Sequence, residues 1–464
     1  MIITKLARVA LLIDGMVIFH GLKEDPVIAS LKYLLQKAAS ADSDFTEVYR
    51  EYHHFCALAI QVRWPDYLWE RIIRDENELT QQVIHYGVEH VSPELRKLAG
   101  RDLLCWREIA QLTASDIKSA ILARLENLEA DYHGLWQEAP LAPQSWPTWP
   151  NDEDMKADVQ GGAKVTTNSE ENYAERYLQT AQRRLQDSLR GGSAEAMVEA
   201  LLTYYRDMGT GLFNQSMAIK WRGETGRLEG VKADPMRKSQ LINQEREQGI
   251  VLENTEFFLD GYPANNVILY GNRGTGKSSL VKALLQEYCE RGLRLVELSK
   301  TDLQDYPKII RLLGKQPLKF IVFIDDLSFE DTESDYKNLK TLLEGGLEGK
   351  PENVLIYATS NRRHLVRETF GERQGDEVHR RDNMEEKLSL SDRFGITVTF
   401  PTPDQAGYLK IVTELAAQEG LLIPQEDLRQ QALRWVMNHN ARSGRTARQF
   451  VDFLRAKQGA MLKQ

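Results

Sequence analysis

One glycine-rich segment constrains the fold of this chain more than any other part of its sequence. It consists of Gly271, Asn272, Arg273, Gly274, Thr275, Gly276, Lys277 and Ser278, and Ser279 follows it. The apolar run before it, residues 267–270, is typical of a buried parallel strand, and residues 279–285 have the pattern of a helix. A strand, a glycine loop and a helix in this order favour a phosphate-binding loop over a simple glycine-rich turn. The sequence therefore predicts an α/β domain in which these nine residues bind a nucleoside triphosphate.

The residue types in and after this loop suit phosphate chemistry. Lys277 supplies positive charge to the outer phosphates, and the Ser278 hydroxyl is a ligand for Mg²⁺ at the helix N-terminus. Downstream, the apolar run 320–324 ends in Asp325 and Asp326, at the carboxyl end of a predicted strand, where α/β sheets bind ligands. We expect Asp325 to hold Mg²⁺ and Asp326 to orient or deprotonate the attacking water. A solvated acidic strand end is the alternative, but the phosphate loop upstream favours the catalytic interpretation.

Length and composition predict several domains and restrict the class of protein. A chain of 464 residues is too long for one hydrophobic core. Its formal net charge of −9 argues weakly against nonspecific nucleic-acid binding, without excluding a local basic patch. The three cysteines have neither the pairing nor the spacing of a disulfide framework or a zinc site, so we expect a cytoplasmic protein. The apolar stretch at residues 9–19 is interrupted by Asp14 and is predicted to be core, with no membrane span.

Changes of pattern along the chain predict its organisation. Residues 1–138 have mainly helical spacing, residues 139–170 resemble a Pro/Trp-rich and polar linker or long loop, and residues 171–240 form a helical connector. From residue 241, short apolar runs alternate with amphipathic segments, which is the pattern of a parallel sheet with crossover helices. Most of the tryptophans lie in the first 150 residues, and we interpret them as packing residues rather than as a recognition platform.

Six segments together resemble one known family. They read YPANNVILYGNRGTGKSSLVKALL, FIVFIDDLSFE, LEGGLE, NVLIYATSNRRHL, EEKLSLSDRFG and SGRTARQF. The combination resembles the AAA+ ATPases, specifically the bacterial group catalogued as a domain of unknown function, DUF815, over roughly residues 240–460. The resemblance implies a P-loop NTPase module with an α/β core at residues 241–402, a five-stranded parallel sheet between helices, and a small helical lid at residues 403–464. It also implies ATP and Mg²⁺ as cofactors and hydrolysis at subunit interfaces. The N-terminal half resembles no family that we can name.

The resemblance implies roles for residues beyond the loop and the two aspartates. Asn361 matches the sensor 1 position, where an amide positions the attacking water, although it would also suit a strand-end cap. Arg393 matches the arginine finger, which in this superfamily reaches the nucleotide of a neighbouring subunit; a surface ion pair is the alternative. Sensor 2 is either Arg445 or Arg448, one helical turn apart, and we favour Arg445.

Four further features qualify the resemblance. Asn265 and Asn266 resemble the segment that contacts adenine, but a turn leading into a strand explains them equally well. The second acidic residue is usually glutamate, so Asp326 predicts a closer water or slow hydrolysis; paired aspartates also occur in replication-initiator AAA+ proteins. Between the second strand and the aspartates there is no aromatic-hydrophobic-glycine pore loop, only Tyr306-Pro307 and Leu313-Gly314, which argues against a threading unfoldase. The chain ends soon after sensor 2, so no winged helix is expected.

Three functions remain open at this point. The first is an ATP-driven remodeller or assembly factor, a ring or open homo-oligomer that engages an unidentified protein partner through its N-terminal domain. It is favoured by the acidic charge and the separate N-terminal domain. The second is an initiator-like loader on nucleic acid, favoured by the paired aspartates and by an arginine-rich stretch at residues 362–381 that a solvated loop explains better. The third is a nucleotide-gated scaffold with little turnover.

Overall fold

The computed structural model of the chain describes residues 2–40, 43–62, 64, 66–125, 145–149, 172–327, 351–361, 394–439 and 442–461. Two compact units divide the chain. The first consists of Met1–Ser169 and Gln179–Asn214, and the second of Glu170–Leu178 and Gln215–Gln464. The predicted connector, residues 171–240, is therefore shared between the two units.

Amphipathic helices build the described part of the first unit. They are α1 (Ile2–Asp14), α2 (Pro26–Ala39), α3 (Phe45–Val62), α4 (Asp66–Arg74), α5 (Glu78–Tyr86), α6 (Pro93–Ala110), α7 (Ala114–Leu125), α8 (Tyr173–Arg190, of which residues 179–190 belong to this unit) and α9 (Ala194–Met208). In α2, Leu31, Leu34 and Leu35 are buried three and four positions apart, as on one face of a helix. The carboxylate of Asp25 begins this helix by accepting the N–H groups of Val27 and Ile28. The helical character predicted for the N-terminal region is confirmed.

The N-terminal apolar stretch packs into the core of the first unit. Val9 and Ile13 on α1 are fully buried. The segment after this helix is held by the buried Asp102. The carboxylate of Asp102 accepts hydrogen bonds from the backbone N–H groups of Val17 and Ile18, each at 2.7 Å. The described tryptophans among the first 150 residues are at most 3% exposed, as packing residues should be: Trp64, Trp69, Trp106, Trp146 and Trp149. Within the described ranges, no helix combines the length and apolar character needed to cross a membrane.

A seven-stranded sheet forms the centre of the second unit. Its strands are β1 (Ala218–Arg222), β2 (Arg227–Val231), β3 (Val267–Gly271), β4 (Leu293–Glu297), β5 (Lys319–Ile324), β6 (Val354–Ser360) and β7 (Ile396–Phe400), in the order β2-β1-β4-β5-β6-β3-β7. The last five strands in this order are parallel to one another, and β1 is a sixth strand that pairs in parallel with β4. The predicted five-stranded parallel sheet is therefore present. Its helices include α10 (Glu245–Leu259), α11 (Lys277–Tyr288) and α12 (Tyr306–Leu313).

The antiparallel hairpin β1–β2 extends this sheet beyond the prediction. These residues were expected to lie in a helical connector, and that assignment is wrong for β1 and β2. Trp221 on β1 is 1% exposed, and its Nε1 donates to Asp305 Oδ2 at 2.9 Å. Lys308 Nζ lies 5.1 Å from the centroid of the same ring. Burial of Trp221 against the segment after β4 thus holds the hairpin at the edge of the sheet.

Three further helices form a small lid with its own core. They are α13 (Gln405–Gln418), α14 (Gln425–His439) and α15 (Gly444–Met461). Their buried side chains form one cluster that includes Tyr408, Leu415, Ala432 and Phe450. The predicted fold class is confirmed: an α/β core with a parallel sheet and a helical lid, preceded by a mainly α-helical region.

Candidate active site

The glycine-rich loop connects β3 to the N-terminus of α11, as predicted. Gly274 and Gly276 have φ values of +78° and +95°, a backbone region that favours glycine. A Cβ atom on Gly274 would also lie 2.8 Å from Ser443 Oγ and 3.2 Å from Arg445 Cβ, so glycine lets the start of α15 approach the loop closely. The backbone N–H of Arg445 donates to the Gly274 carbonyl at 3.4 Å. The lid therefore contacts the phosphate loop directly.

The amino group of Lys277 lies inside this loop. The residue is 5% exposed, and its Nζ donates to the carbonyls of Gly271 (2.7 Å) and Asn272 (2.9 Å) and to Asn361 Oδ1 (3.1 Å). Burial is the main cause that lowers the pKa of this amino group below its usual value, and the carboxylates at the end of β5 oppose the shift. A partly desolvated ammonium group in this position has a strong electrostatic preference for an added anion.

The first aspartate after β5 is tied to the loop. Asp325 Oδ1 accepts hydrogen bonds from Ser278 Oγ at 2.6 Å and from Thr359 Oγ1 at 2.5 Å. Parallel register explains the proximity of Asp325 and Thr359, because Ile324 at the end of β5 lies beside Ala358 on β6. The residues predicted to hold Mg²⁺, Ser278 and Asp325, are thus in direct contact.

The second aspartate is connected to the lysine through an asparagine. Asn361 Nδ2 donates to Asp326 Oδ1 at 2.6 Å, while Asn361 Oδ1 accepts from Lys277. Asp326 itself has a φ of +52°, and its N–H donates to Thr359 Oγ1 at 3.0 Å. Asn361 therefore does more than cap a strand, because its amide bridges the loop lysine and the second carboxylate.

The oxygen atoms at this edge suit a hard cation that retains external ligands. Within the described residues, no group of three or more His, Cys, Asp and Glu side chains could hold a metal by itself. The Ser278 hydroxyl and the Asp325 carboxylate are oxygen donors at a helix N-terminus, and Mg²⁺ typically takes one or two such protein ligands and completes its shell with phosphate and water. The donor set therefore fits Mg²⁺ bound together with a nucleotide.

These residues line a cleft of about 480 Å³. The loop residues 273–279, both aspartates and Asn361 contribute polar groups, and the lid contributes Arg445 and Arg448. The rest of the lining is mainly apolar. Its apolar side chains come from the segment before α10 and from α13: Met236, Leu241, Ile242, Ile411 and Leu415. None of these five residues was predicted from the sequence to line a binding site. The apolar pair Leu241-Ile242 within an otherwise polar stretch was the available signal.

The two asparagines compared with an adenine-contacting segment have structural partners. Asn265 exchanges hydrogen bonds with the side chain of Asn254, donating its N–H to Oδ1 at 3.0 Å and accepting from Nδ2 at 2.9 Å. Asn266 Oδ1 accepts the N–H of Ile356 at 3.0 Å. Neither residue lines the cleft. The turn into β3 therefore accounts for both.

The two sensor 2 candidates have different surroundings. Arg448 Nη1 donates to Glu419 Oε1 at 2.9 Å, and Arg455 Nη1 donates to the other oxygen of the same carboxylate at 2.9 Å. The guanidinium group of Arg445 has no hydrogen bond or ion pair with any of the described residues. Both arginines line the cleft. Of their two guanidinium groups, only the one of Arg445 forms no hydrogen bond or ion pair with a described residue.

Two other predictions have different outcomes. Arg393 lies outside the described residues, as does the arginine-rich stretch 362–381, so their roles stay predictions. The segment between β4 and β5 is fully described. Its single aromatic residue, Tyr306, is 3% exposed at the start of α12, so this segment presents no exposed aromatic side chain of the kind a pore loop uses.

Comparison with known proteins places this chain in a family. Residues 214–458 match the family model described as "Protein of unknown function (DUF815)", which is more than half of the chain, whereas no family model matches the N-terminal half. No curated protein matches. Two solved structures of RuvB variants from Thermotoga maritima are similar at 13% and 12% identity; each alignment covers 47% of this chain and 72% of the RuvB chain, with a TM-score of 0.29. A similarity this low supports no inference about function. On the evidence of its family match, its predicted motifs and its fold, the chain belongs to the DUF815 family.

Proposed function

We propose that the second unit is an AAA+ module that binds ATP with Mg²⁺ and hydrolyses it. One observation carries this proposal: the phosphate loop is hydrogen-bonded to both aspartates, directly through Ser278–Asp325 and through an asparagine in Lys277–Asn361–Asp326. The alternative is a network of polar side chains that only stabilises the fold. Such a network does not need a glycine loop at a helix N-terminus, whereas a phosphate site does. This set of hydrogen-bonded residues matches the needs of phosphoryl transfer, which depends on positioning and charge stabilisation.

Each residue of this set has a proposed part in the reaction. Lys277 exchanges the loop carbonyls for the outer phosphates, and the N–H groups of the loop bind the same anion. Ser278 and Asp325 hold Mg²⁺, which neutralises charge on the phosphates. Asp326 accepts a hydrogen bond from the attacking water and orients it, while Asn361 holds the carboxylate of Asp326 in place.

The apolar residues of the cleft suggest where the base binds. Met236, Leu241 and Ile242 precede α10, and Ile411 and Leu415 come from the lid. An apolar surface opposite a phosphate site suits a flat aromatic ring. We propose that the adenine ring packs here, between the segment before α10 and the lid, and not against Asn265 and Asn266.

Arg445 is the proposed sensor 2, and a pair of substitutions tests it. We expect Arg445→Ala to lower ATP affinity or turnover by about tenfold or more, because a guanidinium group facing the phosphates is lost. Arg448→Ala should change either quantity by less than about twofold, since it removes only a partly exposed ion pair with Glu419, which keeps Arg455. ATP titrations and steady-state rates of both variants measure this. The reverse order of effects would assign sensor 2 to Arg448.

Hydrolysis is proposed to occur between subunits of a homo-oligomer, with Arg393 as the arginine finger. Arg393→Ala should reduce turnover about a thousandfold, as loss of such a finger does in related chemistry. Mixing inactive Arg393→Ala with inactive Lys277→Ala should restore part of the activity, because one type of interface then combines an intact loop with an intact finger. Turnover per subunit should also rise with protein concentration. An active monomer, together with no rescue on mixing, would make Arg393 structural.

The proposed cellular role is the remodelling or assembly of a protein partner. The buried Tyr306 in place of an exposed pore-loop aromatic disfavours threading, and the helical first unit is available for partner recognition. The three free cysteines are compatible with the proposed cytoplasmic location. The loader on nucleic acid and the scaffold with little turnover remain the alternatives. Salt-dependent DNA binding would favour the loader, and absent turnover in the wild-type oligomer would favour the scaffold.

A further inference from the structure

Thr359 on β6 contacts both aspartates although it belongs to neither the loop nor the strand that carries them. Its hydroxyl donates to Asp325 Oδ1 at 2.5 Å and accepts the N–H of Asp326 at 3.0 Å. Its carbonyl accepts the N–H of Leu327 at 2.7 Å. The residue is 1% exposed, and its hydroxyl lies at the edge of the cleft beside the two exposed aspartates. We propose that Thr359 is a positioning residue that fixes the metal-binding carboxylate and the water-orienting carboxylate relative to each other.

The backbone of Asp326 shows why such a residue is needed. Its φ of +52° lies in the left-handed region, which is unfavourable for most residues with a side chain and persists only where the surroundings hold it. Two hydrogen bonds from consecutive N–H groups, those of Asp326 and Leu327, end on Thr359. Thr359 therefore holds the turn that directs the side chain of Asp326 toward Asn361.

The same geometry suits aspartate, the shorter of the two acidic residues, at position 326. Aspartate and asparagine adopt the left-handed conformation more readily than other residues with a side chain. In Asp326 the backbone turn, rather than a longer side chain, brings the carboxylate to Asn361 Nδ2 at 2.6 Å. The shorter residue is therefore matched to a turned strand end that Thr359 stabilises.

Threonine has the properties that this position requires. Its single hydroxyl serves as donor to Asp325 and acceptor for Asp326 at the same time. Its β-branched side chain has few χ1 rotamers in a strand, so the hydroxyl is held in one direction. Valine has nearly the same shape and lacks the hydroxyl, whereas serine keeps the hydroxyl and lacks the methyl group. These two substitutions separate positioning from packing.

The test rests on the proposed ATP hydrolysis and compares three variants of the full chain. We expect Thr359→Val to lower kcat by about tenfold or more and to raise the Mg²⁺ concentration for half-maximal ATP binding by a similar factor, because a hydrogen bond to a charged group is lost. ATP affinity measured without Mg²⁺ should change by less than about threefold. Thr359→Ser should recover most of both losses.

Thr255→Val is the matched control for loss of a buried threonine hydroxyl. Thr255 is fully buried, and its Oγ1 bonds to the Val251 carbonyl at 2.7 Å and to Tyr357 Oη at 2.8 Å, away from the cleft lining. The Tm of the Thr255→Val variant should fall about as much as that of Thr359→Val, whereas the Mg²⁺ concentration for half-maximal ATP binding should stay at the wild-type value. Wild-type Mg²⁺ dependence in Thr359→Val, or failure of serine to restore it, would overturn the proposal. If the wild type binds ATP without hydrolysing it, the Mg²⁺ titrations still decide the role of Thr359; if it binds no ATP, the proposed function itself fails.

Discussion

Lys277→Ala should lower the affinity for ATP by about a hundredfold or more. The amino group sits in the loop with three oxygen acceptors, and ATP would replace these neutral partners with charged phosphates. Charge-assisted hydrogen bonds contribute about 1.5–3 kcal/mol each, so two of them correspond to this loss. The low pKa that burial imposes on Lys277 also means that the ammonium group gains more from an anion than an exposed lysine would. Isothermal titration calorimetry measures the change.

Two further variants show whether the effect comes from charge. Lys277→Met keeps most of the apolar stem that fills the loop, and it should lose affinity as strongly as the alanine variant. Lys282→Ala is the control on the same helix. It removes only the half-exposed ion pair between Lys282 and Asp234, so this variant should bind ATP like the wild type. Undiminished binding by folded Lys277→Ala would show that this loop is not the phosphate site.

The parts of the site that were predicted from sequence are those fixed by local chemistry. The geometry of a glycine loop followed by lysine and serine is set locally, because the loop N–H groups and the helix N-terminus are only a few residues apart in the sequence. Asp325 and Asp326 were found because carboxyl ends of parallel strands meet at one edge of a sheet. Asn361 required the resemblance to a family as well, because an asparagine after a strand has several common uses.

The parts that were missed depend on tertiary structure. Thr359 looks like an ordinary strand residue until the register of β5 and β6 places it beside Asp325. The apolar side of the cleft combines Leu241 with Ile411, which are distant in sequence. The strands of the hairpin β1–β2 read AIKWR and RLEGV, so charged residues interrupt the apolar run that marks the buried parallel strands. The position of the hairpin depends on burial of Trp221.

Asp326→Asn should have the opposite effect to Lys277→Ala, with ATP affinity preserved and turnover reduced about a hundredfold or more. Asparagine tolerates the φ of +52°, and its side-chain oxygen can still accept the hydrogen bond from Asn361 Nδ2. The fold and the cleft should therefore remain intact. The amide lacks the charge that orients or deprotonates the attacking water, and loss of a general base typically costs a factor of about 10²–10⁴. Calorimetry and a phosphate-release assay on the same preparation measure both quantities.

Asp260→Asn is the control, because it makes the same chemical change outside the cleft. Asp260 forms a surface ion pair with Arg291. This variant should hydrolyse ATP at the wild-type rate. If Asp326→Asn also does so, Asp326 does not orient the water, and any catalytic carboxylate at the end of β5 would have to be that of Asp325. If ATP affinity falls instead, Asp326 belongs to the binding step. Preserved binding with lost turnover would show that the carboxylate of Asp326 acts in the chemical step, which is the step that the turn held by Thr359 is proposed to serve.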